Sequence, residues 1–67
     1  MKVVDRIGKH LHLGDTVEFY HNRLHGKVYG VIKSFASKYD LEVIVPDKRV
    51  TCIVPSCLAK KVKVKHK

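Results

Sequence analysis

Apolar and polar residues alternate along most of this chain, which is the spacing of β-strands that bury one face. In "TVEFYH", for example, Val17 and Phe19 fall on one face of the predicted strand. β-branched residues dominate the later apolar segments, and turn residues interrupt them at intervals of about 8–12 residues, as in all-β proteins. The pattern predicts no helix, a possible short strand at 2–5, and five further strands at 16–21, 27–35, 41–46, 50–54 and 60–65.

Proline and glycine refine this prediction at three places. Pro46 follows the nearly continuous apolar run "LEVIV" and has no backbone N–H to donate, so it suits the end of a strand that lies inside the sheet. Pro55 suits the first position of a helical turn, which predicts one such turn in "PSCLA". Gly30 lies inside the second strand, where glycine indicates a bulge or a close approach of another backbone.

Five short strands with hairpin connections predict a small, strongly bent barrel, since they are too few for a two-sheet sandwich. The sequence resembles the SH3-like barrel, with "VPSCLAKKV" where that fold carries a 3₁₀ turn before its last strand. We therefore expect an all-β, five-stranded SH3-like barrel and a single domain over residues 1–67. Within it, residues 1–12 are a lead-in segment and residues 60–67 a basic C-terminal strand and tail.

The charge of the chain is its strongest compositional feature. Fourteen Lys and Arg residues against six Asp and Glu give a formal net charge of +8 and an isoelectric point near 9.8. So small a domain then carries a positive field that favours a polyanionic partner, most commonly nucleic acid. With no apolar run long enough to cross a bilayer and no signal-peptide pattern, we expect a cytoplasmic protein that does not bind membranes.

Catalytic and metal chemistry have little support in the sequence. Cys52 and Cys57 form a C-x4-C pair without a second pair, whereas structural zinc sites need four ligands. The favoured interpretation is two small, buried, apolar cysteines. The strand carboxylates Glu18 and Glu42 alternate with apolar residues and are expected to face solvent, and Asp15 is expected to stabilise a turn. We therefore expect no enzymatic activity, no cofactor and no metal.

Two further resemblances concern the region around the glycines. "LGDTVEF" followed by "HGKVYGVI" resembles the KOW-type pattern over residues 13–35, which implies a module that contacts nucleic acid or the machinery around it. Gly26 and Gly30 are four residues apart, where that pattern has a spacing of three. "LGDTV", "GKVYG" and "IVPSCL" are similar to segments of the type II dihydrofolate reductases. The Val-Gln-Ile-Tyr run of that family is "VTCIV" here, so this likeness implies the fold and not the activity.

Aromatic and basic side chains are interleaved around the first loop, and lysines recur in "KKVKVKHK" at the C-terminus. If Phe19 and Val28 face the core, strand alternation turns Tyr20 and Tyr29 outward, where they could stack on bases or simply cover the sheet. The C-terminal lysines form a one-sided stripe that could follow a phosphate backbone or guard an edge strand. The candidate nucleic-acid contacts are Tyr20, Arg23, His25, Lys27, Tyr29, Lys48, Arg49, Lys61, Lys63 and Lys65.

The sequence thus predicts a nucleic-acid-binding protein that contacts mainly phosphates of RNA or DNA and reads little base sequence. The alternative is an adaptor, such as a phage or bacterial accessory protein, that docks an acidic protein surface; an exposed apolar patch at Tyr20, Leu24 or Phe35 would favour it. A monomer and a homodimer are both compatible with the thin core of so small a domain.

Overall fold

The protein is all-β, as the alternation predicts. A computed structural model describes residues 3–21, 23 and 26–63. A 3₁₀ turn at Ser56–Leu58 precedes the last strand, as "PSCLA" indicates. No helix within the described part of the chain is long and apolar enough to cross a membrane. The strands are β1 Thr16–His21, β2 Gly26–Phe35, β3 Asp40–Val45, β4 Val50–Pro55 and β5 Lys60–Val62.

All neighbouring strands pair antiparallel in one sheet of order β4-β3-β2-β1-β5. β3 is paired on both sides, which confirms the prediction that its apolar run lies inside the sheet. Within the described residues, the hydrogen-bonded order ends at β4 and β5. Side chains from the end of β1 and from β4 nevertheless line the same cavities, so the sheet curls around its core. Its identity as an SH3-like barrel stays a prediction.

The core lies on the concave face of this sheet and follows the alternation read from the sequence. Val17 and Phe19 of β1 are buried, and Val28 and Ile32 of β2 lie beside them. Burial of such aliphatic and aromatic side chains contributes about 1.5–3 kcal/mol each. The core is completed by Val3, Leu11, Leu41, Val43, Val45, Val54 and Ala59.

Gly30 is a point of close backbone approach, one of the two possibilities that the sequence left open. A Cβ built at this position would collide with Cγ1 of Val43 and lie 2.8 Å from the carbonyl oxygen of Ile44. The irregularity in strand pairing lies two residues further on, between Ile32 and Ser34. Gly30 therefore allows β2 and β3 to pack closely, and the bulge is formed by neighbouring residues.

The lead-in segment folds back on itself as an N-terminal turn, residues 3–11. The possible strand at 2–5 is replaced by an isolated bridge between Val4 and His10, and residue 2 lies outside the described residues. The N–H of Leu11 donates to the carbonyl of Val3 at 2.8 Å. Val3 and Leu11 are both buried in the core. The segment is therefore an integral part of the packing.

The expectation that both cysteines are buried is wrong for Cys57. Cys52 is half-buried against the core, but Cys57 is exposed in the 3₁₀ turn. In that three-residue turn Ser56 is the buried residue, so its neighbour Cys57 faces outward. The short turn offers one inward position, and the serine occupies it.

Candidate nucleic-acid interface

The outside of β5, β1 and β2 carries an aromatic–lysine face (Tyr20, Lys27, Tyr29 and Lys60), and the carboxylate of Glu18 lies among these four side chains. Tyr20 lies opposite Lys27, and Glu18 lies opposite both Tyr29 and Lys60. Opposed residues of antiparallel strands project to the same side of the sheet. Tyr20 is 72% exposed and Tyr29 is 51% exposed, which confirms the outward orientation predicted from strand alternation.

The first loop presents Arg23 next to this face. The backbone N–H of Arg23 donates to Nδ1 of His21 at 3.2 Å, and the His21 ring packs edge-on against Phe19 with centroids 6.5 Å apart. Phe19 is anchored in the core, so this chain of contacts fixes the start of the loop. His25 of the predicted site, and Leu24 of the predicted apolar patch, lie outside the described residues.

Arg23 also lines an apolar cleft between the first loop and β4, with a volume of about 460 Å³. Tyr20, Ile53 and Leu58 are its exposed apolar members; Ile53 is 55% exposed and Leu58 62% exposed. Phe35, which the sequence also suggested for an apolar patch, is half-buried against the core. The apolar cleft thus joins one predicted residue, Tyr20, to residues of β4 and the 3₁₀ turn that the sequence did not single out.

Lys48 and Arg49 lie exposed at the tip of the β3–β4 hairpin, as predicted. Arg49 has a φ of 54°, in the left-handed region that non-glycine residues enter at a cost of about 1–2 kcal/mol. Asp47 of the same turn lines a small cavity of about 160 Å³ with Tyr29. The hairpin tip therefore lies near the Tyr29 end of the aromatic–lysine face.

Lys61 and Lys63 turn away from that face and line a basic groove of about 550 Å³. The opposite wall is the N-terminal turn and the residues just after it, which contribute Lys9, His10 and His12. This arrangement follows from strand geometry, because successive side chains of β5 project to opposite sides and leave Lys60 on the outer face. Lys65, the third member of the predicted stripe, lies outside the described residues.

The carboxylate of Asp5 holds the two walls of the basic groove together. Its Oδ1 accepts the backbone N–H groups of Ile7 at 3.0 Å and Lys9 at 2.8 Å, and its Oδ2 accepts the N–H of Lys61 at 2.8 Å. Burial by itself would raise the pKa of Asp5, but the N–H donors of Lys61, Lys9 and Ile7 and the charge of Lys9 lower its pKa below the usual value. The Asp5 carboxylate is therefore stabilised in its ionised form, and its role is to hold the two walls together.

Asp15 lies at the edge of the groove and is more accessible. Its Oδ2 accepts the N–H of His12 at 2.8 Å, which confirms the turn-stabilising role predicted for this residue. The same oxygen lies 3.4 Å from Nζ of Lys61 and 3.6 Å from Nδ1 of His12. Lys61 is thus held in place at the groove by a partly exposed ion pair.

The structure brings the predicted residues together in two groups. Tyr20, Lys27 and Tyr29 share the outer face with Arg23 beside it, and Lys61 and Lys63 share the groove. Reasoning from the sequence missed Lys9, His10 and His12, although "GKHLH" is visibly basic. Nothing in its spacing indicates that it meets β5, about fifty residues later.

Comparison of the chain with family models, curated proteins and solved structures finds no match to any of them. Among the described residues, no three His, Cys, Asp or Glu side chains are grouped so as to hold a metal ion. The functional interpretation therefore depends on the geometry and charge of the surfaces described above.

Proposed function

We propose that this protein binds nucleic acid, RNA or DNA, chiefly through the phosphate backbone. The observation that carries the proposal is the aromatic–lysine face, where Lys27 lies opposite the exposed Tyr20 of β1 and two residues before the exposed Tyr29 of its own strand. Such a surface offers stacking platforms for bases and a cation for the backbone between them. Base stacking of this kind tolerates any sequence, because every base has a π-face.

The net charge of +8 supports the same proposal, since it attracts a polyanion over the whole surface. Arg23 beside the face adds a cation within reach of a bound strand. The resemblance to KOW-type modules points to nucleic acid as well. A cytoplasmic location and the absence of a catalytic step are parts of this proposal.

The direct test is binding to labelled single- and double-stranded oligonucleotides, RNA and DNA, at several salt concentrations. We expect micromolar binding at low salt and an affinity that falls steeply as salt increases, because each phosphate contact releases counterions. Arg23→Ala with Lys27→Ala should weaken binding and reduce the salt slope by about 1.4 for single strands, at about 0.7 per contact.

A matched control is Lys33→Ala with Lys38→Ala, which removes the same charge from exposed positions near the far end of β2 and in the turn after it, away from Tyr20 and Lys27. If both double variants lose affinity equally, the protein binds through its net charge and the face has no special role. Absence of binding even at low salt would contradict the proposal.

The apolar cleft supports a second candidate, an adaptor that docks an acidic protein segment with apolar side chains. Exposed Tyr20, Ile53 and Leu58 form an apolar surface of the kind found at protein–protein hot spots, and Arg23 would face the partner's acidic residues. Such binding would resist salt better than phosphate contacts do. In a pull-down at high salt, Ile53→Ala with Leu58→Ala should abolish capture of such a partner and leave oligonucleotide binding unchanged.

A further inference from the structure

We infer that the basic groove is a second polyanion site, one that takes a run of phosphate groups without contacting bases. The inference rests on the proposed function, because it assigns part of the nucleic-acid contact to residues outside the aromatic–lysine face. The groove is lined by the three lysines Lys9, Lys61 and Lys63, together with His10, His12, Gly8 and Val62, so among the described residues its lining carries three positive charges and no carboxylate. Its volume of about 550 Å³ is within the usual range of ligand sites.

The walls of the groove are fixed before any ligand arrives. Asp5 accepts N–H groups from both walls, and the N–H of Arg6 donates to the carbonyl of Ala59 at 2.9 Å just before β5. Val3 and Leu11 anchor the N-terminal turn in the core. Binding therefore does not require the two segments to be brought together, which removes part of the entropic cost of association.

Lys9 and Lys63 form no salt bridge with a carboxylate in the part of the chain that the structure describes, and both are exposed. Lys61 is engaged by Asp15 at 3.4 Å, and its Nζ also lies 3.5 Å from the carbonyl oxygen of His10. Asp5 is buried and its oxygens are occupied by backbone donors, so it holds the walls without lining the groove. A phosphate would meet Lys9 and Lys63 first, with Lys61 reaching from the β5 wall towards His10 on the other wall.

The groove and the aromatic–lysine face share β5 as a common boundary. Lys60 belongs to the face and Lys61 to the groove, because neighbouring side chains of a strand project to opposite sides, and Lys63 lines the groove just after the end of β5. A strand of nucleic acid that crosses β5 would place its bases on the tyrosines and continue with its phosphates in the groove. The face supplies stacking and the groove supplies charge alone.

The experiment uses two probes and two double variants of the full chain. The probes are a single-stranded oligonucleotide and inorganic polyphosphate, which has phosphates but neither sugar nor base. The groove variant is Lys9→Gln with Lys63→Gln, and the control is Lys33→Gln with Lys38→Gln, which leaves the groove intact. All four lysines are exposed, so both variants should fold as the parent does.

For both probes we expect the groove variant to bind roughly twentyfold more weakly than the parent at about 0.1 M salt. Two lost phosphate contacts change the slope of log K against log salt concentration by about 1.4, so log K of the variant falls below that of the parent by about 1.4 for each tenfold dilution of salt below about 1 M. The control should lose much less. If the groove variant binds both probes as tightly as the parent does, the inference is overturned. The proposed function would still stand in that case if Arg23→Ala with Lys27→Ala loses oligonucleotide binding.

Two other outcomes separate the inference from the proposed function. If the parent binds polyphosphate and not the oligonucleotide, and the groove variant loses polyphosphate, the groove is a polyanion site and the proposed function fails. If neither probe binds at low salt, both fail.

Discussion

The aromatic–lysine face and the basic groove share one edge strand but are assembled in different ways. The face is made mainly by the β1–β2 hairpin, where residues such as Tyr20 and Lys27 are close in sequence and are opposed by simple strand pairing. The groove joins residues near 9 to residues near 62, and it depends on the buried carboxylate of Asp5. The face is formed by residues close in sequence and the groove by residues far apart in sequence, so different substitutions should disrupt them.

Among the substitutions considered, we expect the greatest loss of stability at Gly30, in one of the strands that carry the face. Gly30→Ala should lower the free energy of unfolding by about 3 kcal/mol, at the upper end of overpacking costs, because the new Cβ meets the backbone of Ile44 as well as Val43. Urea unfolding of the purified variant measures this loss. A decrease below about 0.5 kcal/mol would mean that β2 and β3 can separate slightly without cost.

Asp5→Asn should affect the groove more than the face. The amide oxygen can still accept from Ile7 and Lys9, but its NH₂ group would oppose the N–H of Lys61, so the connection to β5 is lost at a cost of about 2 kcal/mol. Polyphosphate binding should weaken. Amide exchange should accelerate at Lys61 and stay unchanged at Lys27 and Tyr29; equal acceleration at all three would show that the groove and the face unfold together.

The contribution of Asp5 should also disappear in acid. Its pKa is lower in the folded protein than in the unfolded chain, so the unfolded state binds the proton more readily and the stabilisation is present above the unfolded pKa of about 4. It is lost as the pH falls through the lower folded value. The difference in unfolding free energy between the parent and Asp5→Asn should be constant from pH 7 to 5 and shrink below pH 4. A difference that is unchanged at pH 2.5 would contradict the lowered pKa.

Substitution of the tyrosines separates stacking from charge. Tyr20→Ala and Tyr29→Ala should each weaken single-stranded oligonucleotide binding by about 1–3 kcal/mol per stacked base and leave polyphosphate binding unchanged. Tyr39→Ala is the matched control, because Tyr39 is 67% exposed but lies outside the face, beneath the Nζ of Lys38. Equal losses in all three variants, measured by fluorescence anisotropy, would show that no particular tyrosine is a stacking platform.

Asp15→Asn should destabilise the protein least of these substitutions, in contrast to Asp5→Asn. The amide oxygen can keep the hydrogen bond from the N–H of His12, and only the partly exposed ion pair with Lys61 is lost. We expect a loss of less than 1 kcal/mol in unfolding free energy and slightly tighter polyphosphate binding, because Lys61 is freed. Weaker polyphosphate binding would mean that the ion pair positions Lys61 for the ligand.

Much of the fold was accessible from the sequence. Alternation around Val17 and Phe19 predicted β1 and the outward direction of Tyr20, and the apolar run before Pro46 predicted an interior strand. These predictions succeeded because successive residues of a strand alternate between its buried and its exposed face, so the sequence shows directly which residues lie on each. The expectation of a buried Cys57 was wrong because it was based only on the apolar character of cysteine, and a 3₁₀ turn of three residues has no alternation that would show which side chain is buried.

The strands, the positive charge and the nearness of Tyr20 to Lys27 follow from the order and kinds of residues, because each depends on neighbouring residues or on composition. Folding brings Lys9, His10 and His12 to Lys61 and Lys63, and Ile53 and Leu58 to Tyr20. Those contacts join distant segments through the curl of the sheet and through the hydrogen bonds of one buried carboxylate. The acceptor geometry of Asp5 exists only after the chain has folded around it.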